Sequence, residues 1–282
     1  MRESETIETP SGKGAEDENF PVASRFLRPE DRPLVMAYYA FARAADDIAD
    51  NSELSPEDKT ARLERFQAGL EGRERNEALA TANRLGDLMR ERAIAHEHAG
   101  DLLLAFQQDA RKARYASWEE LRDYCRLSAE PVGRFLLDLH GEDRALYPGA
   151  NALCSALQVL NHLQDLRSDY LGLGRIYLPE DWMADEKVEP RDLAAFSSSA
   201  GLRRVIDDCL WRSDSLLAQA EGLLAGLQSR RLLVQAATTH RLAETLLRRL
   251  LRRDPLARPV KLTRMDFLLA GARGLLWGGL AR

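Results

Sequence analysis

The sequence has little valine or isoleucine, only three cysteines, no excess of basic charge, and no apolar run long enough to cross a bilayer. Each shortage excludes something. Scarce β-branched residues, set against abundant leucine and alanine, disfavour a large sheet and favour helix. Cys125, Cys154 and Cys209 are widely spaced and form no metal-binding pattern. They read as buried thiols in a reducing compartment, not as a disulfide framework. A net charge of −5 argues against non-specific nucleic-acid binding as the main task, and no nucleic-acid partner is expected. Met1 to Asp17 is polar and acidic and has no apolar h-region, which predicts a disordered tail over 1–17 and a cytoplasmic protein.

What is present is helical period throughout. At 282 residues and 45% apolar composition the chain can bury a sizeable core. No alternating strand pattern, fixed-period repeat or long linker is visible, so a single all-helical domain is expected over 18–282. Ser55-Pro56-Glu57-Asp58 opens a helix to about Leu70, with serine as cap and proline in the first turn. Further helical patterns run from about Leu79 to His98 and from Asp101 to Tyr115. Ser117-Trp118-Glu119-Glu120 opens another helix, and Pro131-Val132-Gly133 marks a break or kink. Pro179 to Pro190 reads as a polar loop, followed by long helices over Leu202–Leu227 and Arg231–Arg252 and a last helix near Thr263. The stretch from Phe267 to Leu280 is apolar but short and interrupted by Arg273. It reads either as a core-packed terminal helix or as one resting on a membrane surface.

Two acidic stretches carry the chemistry. Asp46-Asp47-Ile48-Ala49-Asp50 ends an apolar run, and in a helix Asp46 and Asp50 share one face with Arg43 and Tyr39 earlier on the same stripe. Like charges at this spacing cost about 0.2–0.5 kcal/mol unless something compensates. A hard divalent cation compensates, since Mg²⁺ prefers carboxylate and substrate phosphate oxygens. The alternative is a solvated acidic helix end. Asn161 to Asp169 repeats the pattern, with Asn161, Asp165 and Asp169 one turn apart, and is followed by Gly172, Gly174, Arg175 and Tyr177. Two such helices facing each other would hold several Mg²⁺ ions between them.

With its paired motifs in this order and the tail Gly174-Arg175-Ile176-Tyr177-Leu178-Pro179, the chain resembles the squalene/phytoene synthase family over roughly Asn19 to Leu262. The resemblance implies the all-α isoprenoid synthase fold, one helical bundle around a central apolar cavity. Glu18 to Ser24 and Tyr124 to Arg134 look most like the family's hopanoid-pathway branch, the hydroxysqualene synthases. That implies ionisation of presqualene diphosphate, cation rearrangement and capture by water. The chain carries Asn19 where most relatives have serine, Arg126 where condensing relatives have tyrosine, Leu127 to Gly133 where many have Val-Ala-Gly-Thr-Val-Gly, and Ser168 where glutamate is frequent. These departures fit a branch that receives presqualene diphosphate ready-made. The alternatives are head-to-head condensation of two prenyl diphosphates by a squalene or phytoene synthase, and, remotely, a non-catalytic helical adaptor.

The expected metal ligands are Asp46, Asp50, Asn161, Asp165 and Asp169. Arg43 and Arg175 are the expected diphosphate binders, because guanidinium matches phosphate oxygens bidentately. Otherwise Arg43 forms an intrahelical ion pair and Arg175 is a surface loop charge. Asp47 is a ligand, an arginine partner or a surface group. Asn19, Tyr39, Tyr124, Arg126 and Tyr177 are further expected substrate contacts. Phe20, Phe41 and Phe135 line the pocket or are ordinary core aromatics. His162 is expected to pack, since Mg²⁺ disfavours imidazole. No dinucleotide fingerprint is visible and no NADPH is expected. Partners implied by so greasy a substrate are a membrane surface, peripherally at the inner membrane, and neighbouring hopanoid-pathway enzymes.

Overall fold

The structure is a computed structural model that describes residues 7–8 and 27–280, the last four without their side chains. The expectations for Asn19 and Phe20, and all of the 1–17 tail except positions 7 and 8, lie outside the described residues. Ile7 is buried, and its carbonyl accepts a hydrogen bond from Arg62 at 3.0 Å. The chain divides into two compact units, Met1–Lys112 and Ala113–Arg282.

The first unit contains α1 (Arg32–Asp50), α2 (Pro56–Leu70), a 3₁₀ turn (Glu77–Leu79), α3 (Ala80–Glu91) and α4 (Glu97–Asp109). Buried Asp31 precedes α1 and accepts from Arg28 Nε at 2.6 Å and Arg92 Nη1 at 3.2 Å, without capping the helix itself. Ser55 caps α2 by accepting from the Asp58 backbone N–H at 3.1 Å. Phe41, Phe66, Leu63, Leu85 and Met89 are fully buried, and the Phe41 and Phe66 rings stack 5.5 Å apart. Tyr38 Oη donates to the His98 carbonyl at 2.8 Å, joining α1 to α4. One expected helix, Leu79 to His98, is instead broken after Glu91. Ala93 takes a left-handed backbone there, φ 52°, which neither glycine nor proline announces in the sequence.

The second unit contains α5 (Trp118–Ser128), α6 (Glu130–His140), α7 (Tyr147–Leu173), α8 (Glu180–Asp185), α9 (Ala200–Gly226), α10 (Arg230–Arg252) and α11 (Arg264–Leu280). The segment read as a polar loop after Pro179 therefore holds a short helix, and Pro190–Ala194 adds a 3₁₀ turn. Pro131 does not break a helix. It sits in the first turn of α6, where proline's missing N–H costs nothing, and the break falls before it at Ala129. The long α7 packs against α6, α9 and α10. Buried Glu130 joins three helices, taking Ser155 Oγ at 3.0 Å, Arg122 at 3.1 Å and Arg134 at 3.7 Å. His240 Nε2 lies 2.9 Å from the Leu217 carbonyl and ties α10 to α9. Cys125 and Cys209 are buried, Cys154 partly so, and burial pushes the Cys125 and Cys154 thiols up to about 12. Among the described residues no strand forms and no helix is long and apolar enough to cross a membrane.

Candidate active site

The first acidic stretch occupies the last turns of α1. Acidic side chains oppose the negative end of a helix dipole, at about 0.3–1 kcal/mol each where exposed. No basic residue occupies the last turn to offset them. Arg43, one turn earlier, bridges two of them: Nη1 to Asp46 Oδ2 at 2.8 Å and Nη2 to Asp47 Oδ1 at 2.8 Å. Asp47 is 6% exposed at its side chain, Asp46 31%. Of the alternatives open for Asp47, the structure places it as the buried arginine partner, and Arg43 forms the intrahelical ion pairs. Burial works against charge on Arg43, but Asp46 and Asp47 hold its pKa above the ordinary guanidinium value. Asp46 is pushed up to about 7, chiefly by the protein mass around it and next by the Asp50 carboxylate; Arg43 pulls the other way and Asp109 adds to the push. Tyr39 lies one turn before Arg43 and is half-buried.

Asp109 was not anticipated from the sequence. It is the last residue of α4, buried, and within electrostatic reach of Asp46. The one signal it gave was position: an acid at a helix C-terminus is unfavourable unless something else favours it.

The second acidic stretch lies on α7. Asn161, Asp165 and Asp169 recur every fourth residue and share one face. His162 packs as expected, buried, with its ring stacked 3.6 Å from Tyr177 and its Nδ1 3.9 Å from Asp169. Gly174, at φ 66°, ends α7 in a left-handed turn, and its N–H donates to the Tyr170 carbonyl at 3.1 Å. The chain then runs alongside residues 113–116: Ile176 N–H donates to the Ala113 carbonyl at 2.9 Å, and Glu180 N–H to that of Tyr115 at 2.9 Å. This pairing sets Tyr177 5.5 Å from Tyr115 and 5.7 Å from Tyr124. The result is a cluster of three tyrosines and a histidine, all buried. Arg175 is only 6% exposed, so it is not a surface loop charge.

Arg126 does not join Tyr124. Two residues apart on α5 they point to different faces, so Tyr124 is buried while the Arg126 side chain is 63% exposed and paired with Asp123. Phe41 and Phe135 are fully buried core aromatics.

The donor set suits a hard cation. Carboxylates and one amide oxygen are the ligands Mg²⁺ takes, and the repulsion between Asp46 and Asp50 is what a divalent charge relieves. Among the described residues no three His, Cys, Asp or Glu side chains form a closed metal cage. Mg²⁺ does not require one, since it usually takes one or two carboxylates and completes its shell with water and substrate phosphate.

Over residues 14–266 the chain matches the squalene/phytoene synthase family. It belongs to that family. Hydroxysqualene synthase from Zymomonas mobilis is 45% identical over 256 residues, covering 89% of this chain and 84% of the relative. That from Rhodopseudomonas palustris is 41% identical, covering 92% and 88%. The solved structure of squalene synthase HpnC from Alicyclobacillus acidocaldarius superposes with a TM-score of 0.73 at 32% identity, covering 84% and 90%. The family's isoprenoid synthase fold, expected from the motifs, is the fold of this chain.

Proposed function

We propose that this chain is a hydroxysqualene synthase, converting presqualene diphosphate and water to hydroxysqualene and diphosphate. The observation that carries the reading is likeness above 40% to hydroxysqualene synthases along about nine-tenths of the chain, both acidic stretches included. Asp46, Asp50, Asn161, Asp165 and Asp169 are the proposed Mg²⁺ ligands. When bound, the metal supplies Lewis acidity that stabilises charge on the departing diphosphate. Arg175, buried and fixed to the end of α7, donates to diphosphate oxygens. Arg43 holds Asp46 and Asp47 in place and can also donate to phosphate. As the carbon–oxygen bond breaks, its electron pair leaves with the diphosphate and a cyclopropylcarbinyl cation remains. The faces of Tyr124 and Tyr177 suit such a cation. Water adds to the rearranged cation and loses a proton, for which the departing diphosphate is a sufficient base. No reductant enters this balance, so NADPH is not required. The protein works in the cytoplasm and exchanges its greasy substrate and product at a membrane surface, beside the other enzymes of hopanoid synthesis.

The test is product analysis with purified protein, presqualene diphosphate and Mg²⁺, without NADPH. Hydroxysqualene is expected, with no product from farnesyl diphosphate alone. A product that forms only with NADPH, or directly from farnesyl diphosphate, overturns the reading in favour of reductive or condensing chemistry.

A further inference from the structure

The C-terminal helix pair carries two features outside the residues assigned to diphosphate chemistry. The first is a cleft of about 430 Å³ on α10 and α11 into which Arg241, Arg248, Arg249, Arg252, Arg253 and Arg273 all project. Among the described residues, the carboxylates paired with these six cations are Glu244, with Arg241 and Arg248, and Asp266, with Arg249 at 2.7 Å. The cleft therefore keeps a surplus of positive charge. Arg248 feels it: burial first, then Arg241, Arg273 and Arg252, depress its pKa although Glu244 opposes the shift.

The second feature is an outward apolar stripe. Met265, Leu268, Leu269, Leu275 and Leu276 are each more than half exposed. With Ala272 they recur at i, i+3, i+4, i+7, i+10 and i+11 and so form one face of α11. The opposite face is buried through Ala270 and Gly274. Gly274 approaches α10 so closely that a Cβ there would lie 2.4 Å from Thr238 Oγ1 and 2.8 Å from the Val234 carbonyl. The close packing turns the leucines outward and brings Arg273 to the edge of the cleft.

An apolar helix face beside unneutralised arginines has the chemistry of a helix lying in the headgroup region of a bilayer. A patch of this kind is not ordinary surface. We infer that α10 and α11 form a docking surface for an anionic lipid bilayer, with the Arg248, Arg252 and Arg273 guanidinium groups on lipid phosphates and the α11 leucines in the acyl boundary. The charge complementarity selects an anionic surface over a neutral one. It rests on charge and exposure at the helix pair, not on the reaction proposed above, so either can fail alone.

The test is co-sedimentation of the full chain with vesicles of phosphatidylglycerol in phosphatidylcholine and of phosphatidylcholine alone. Binding to the anionic vesicles is expected, at least about tenfold stronger than to neutral ones and weakened by added salt. The variant Arg248→Gln/Arg252→Gln/Arg273→Gln should lose most of it, and Leu268→Ser/Leu275→Ser should weaken it at unchanged salt dependence. Circular dichroism checks that both stay folded. If the arginine variant does not fold, the salt and lipid dependence of the unmodified chain decides. Equal binding to neutral vesicles, or binding indifferent to salt and to the arginines, overturns the inference. Release by inorganic phosphate, where chloride at the same ionic strength has no effect, makes the cleft a free-anion site and also overturns it. So does a concentration-dependent dimer, lost in the leucine variant, in a protein that ignores vesicles.

Discussion

The α1 and α7 acidic stretches share a four-residue spacing, but the protein surrounds them differently. On α1, Arg43 already grips Asp46 and Asp47, and Asp46 is crowded by Asp50 and Asp109 until its pKa rises to about 7. On α7, Asp165 is exposed, and Asp169 has His162 3.9 Å away where Asp46 has a bound guanidinium. Arg175, just past the end of α7, lies six residues beyond Asp169, and its N–H donates to the Asp169 carbonyl at 3.2 Å. Arg43 thus grips two α1 carboxylates directly, whereas Arg175 is a buried cation on the segment that follows α7. Spacing identifies both as candidate ligands; the surroundings decide how each is held ready.

If both stretches serve one diphosphate, Asp46→Asn and Asp169→Asn should each lower turnover by about 10²–10³-fold, measured as hydroxysqualene formation at saturating Mg²⁺. Loss from only one of them would break the symmetry of function. The arginines should then separate. Arg175→Gln should cost activity through the lost diphosphate contact. Arg43→Gln removes the guanidinium 2.8 Å from buried Asp47 and should also lower unfolding free energy by about 1–3 kcal/mol, read from urea titration.

A smaller effect tests the crowding. The folded pKa of Asp46, about 7, exceeds its unfolded value near 3.8, so folding disfavours the ionised form. That cost is absent below the unfolded value, grows between about pH 3.8 and 7, and is fully present above 7. In Mg²⁺-free buffer Asp46→Asn should therefore raise Tm at pH 8, by about 2–4 °C, and not at pH 4.

Much of this was legible in the residues. The serine caps at Ser55 and Ser117 placed helix starts correctly because each accepts a hydrogen bond from a backbone N–H locally. The i, i+4 carboxylates are a property of helical period alone. What escaped was set by tertiary context. Ala93 adopts a left-handed backbone with no side-chain reason to do so. Asp109 reaches Asp46 only through the packing of α1 and α4. Whether Asp47 or Asp46 takes the buried place beside Arg43 depends on which face of α1 meets the core.

The smallest effect concerns Arg126. It departs from the tyrosine of condensing relatives, and the sequence made both it and Tyr124 expected substrate contacts. On α5 the two residues are too far around the helix to share a face, and Arg126 reaches solvent and Asp123 instead. An exposed pair of this kind contributes little. Arg126→Ala should therefore leave turnover within about twofold, whereas Tyr177→Ala, removing a ring packed on His162 and Tyr124, should lower it more. A loss with Arg126→Ala as large as with Arg175→Gln would mean that the side chain turns inward when substrate binds.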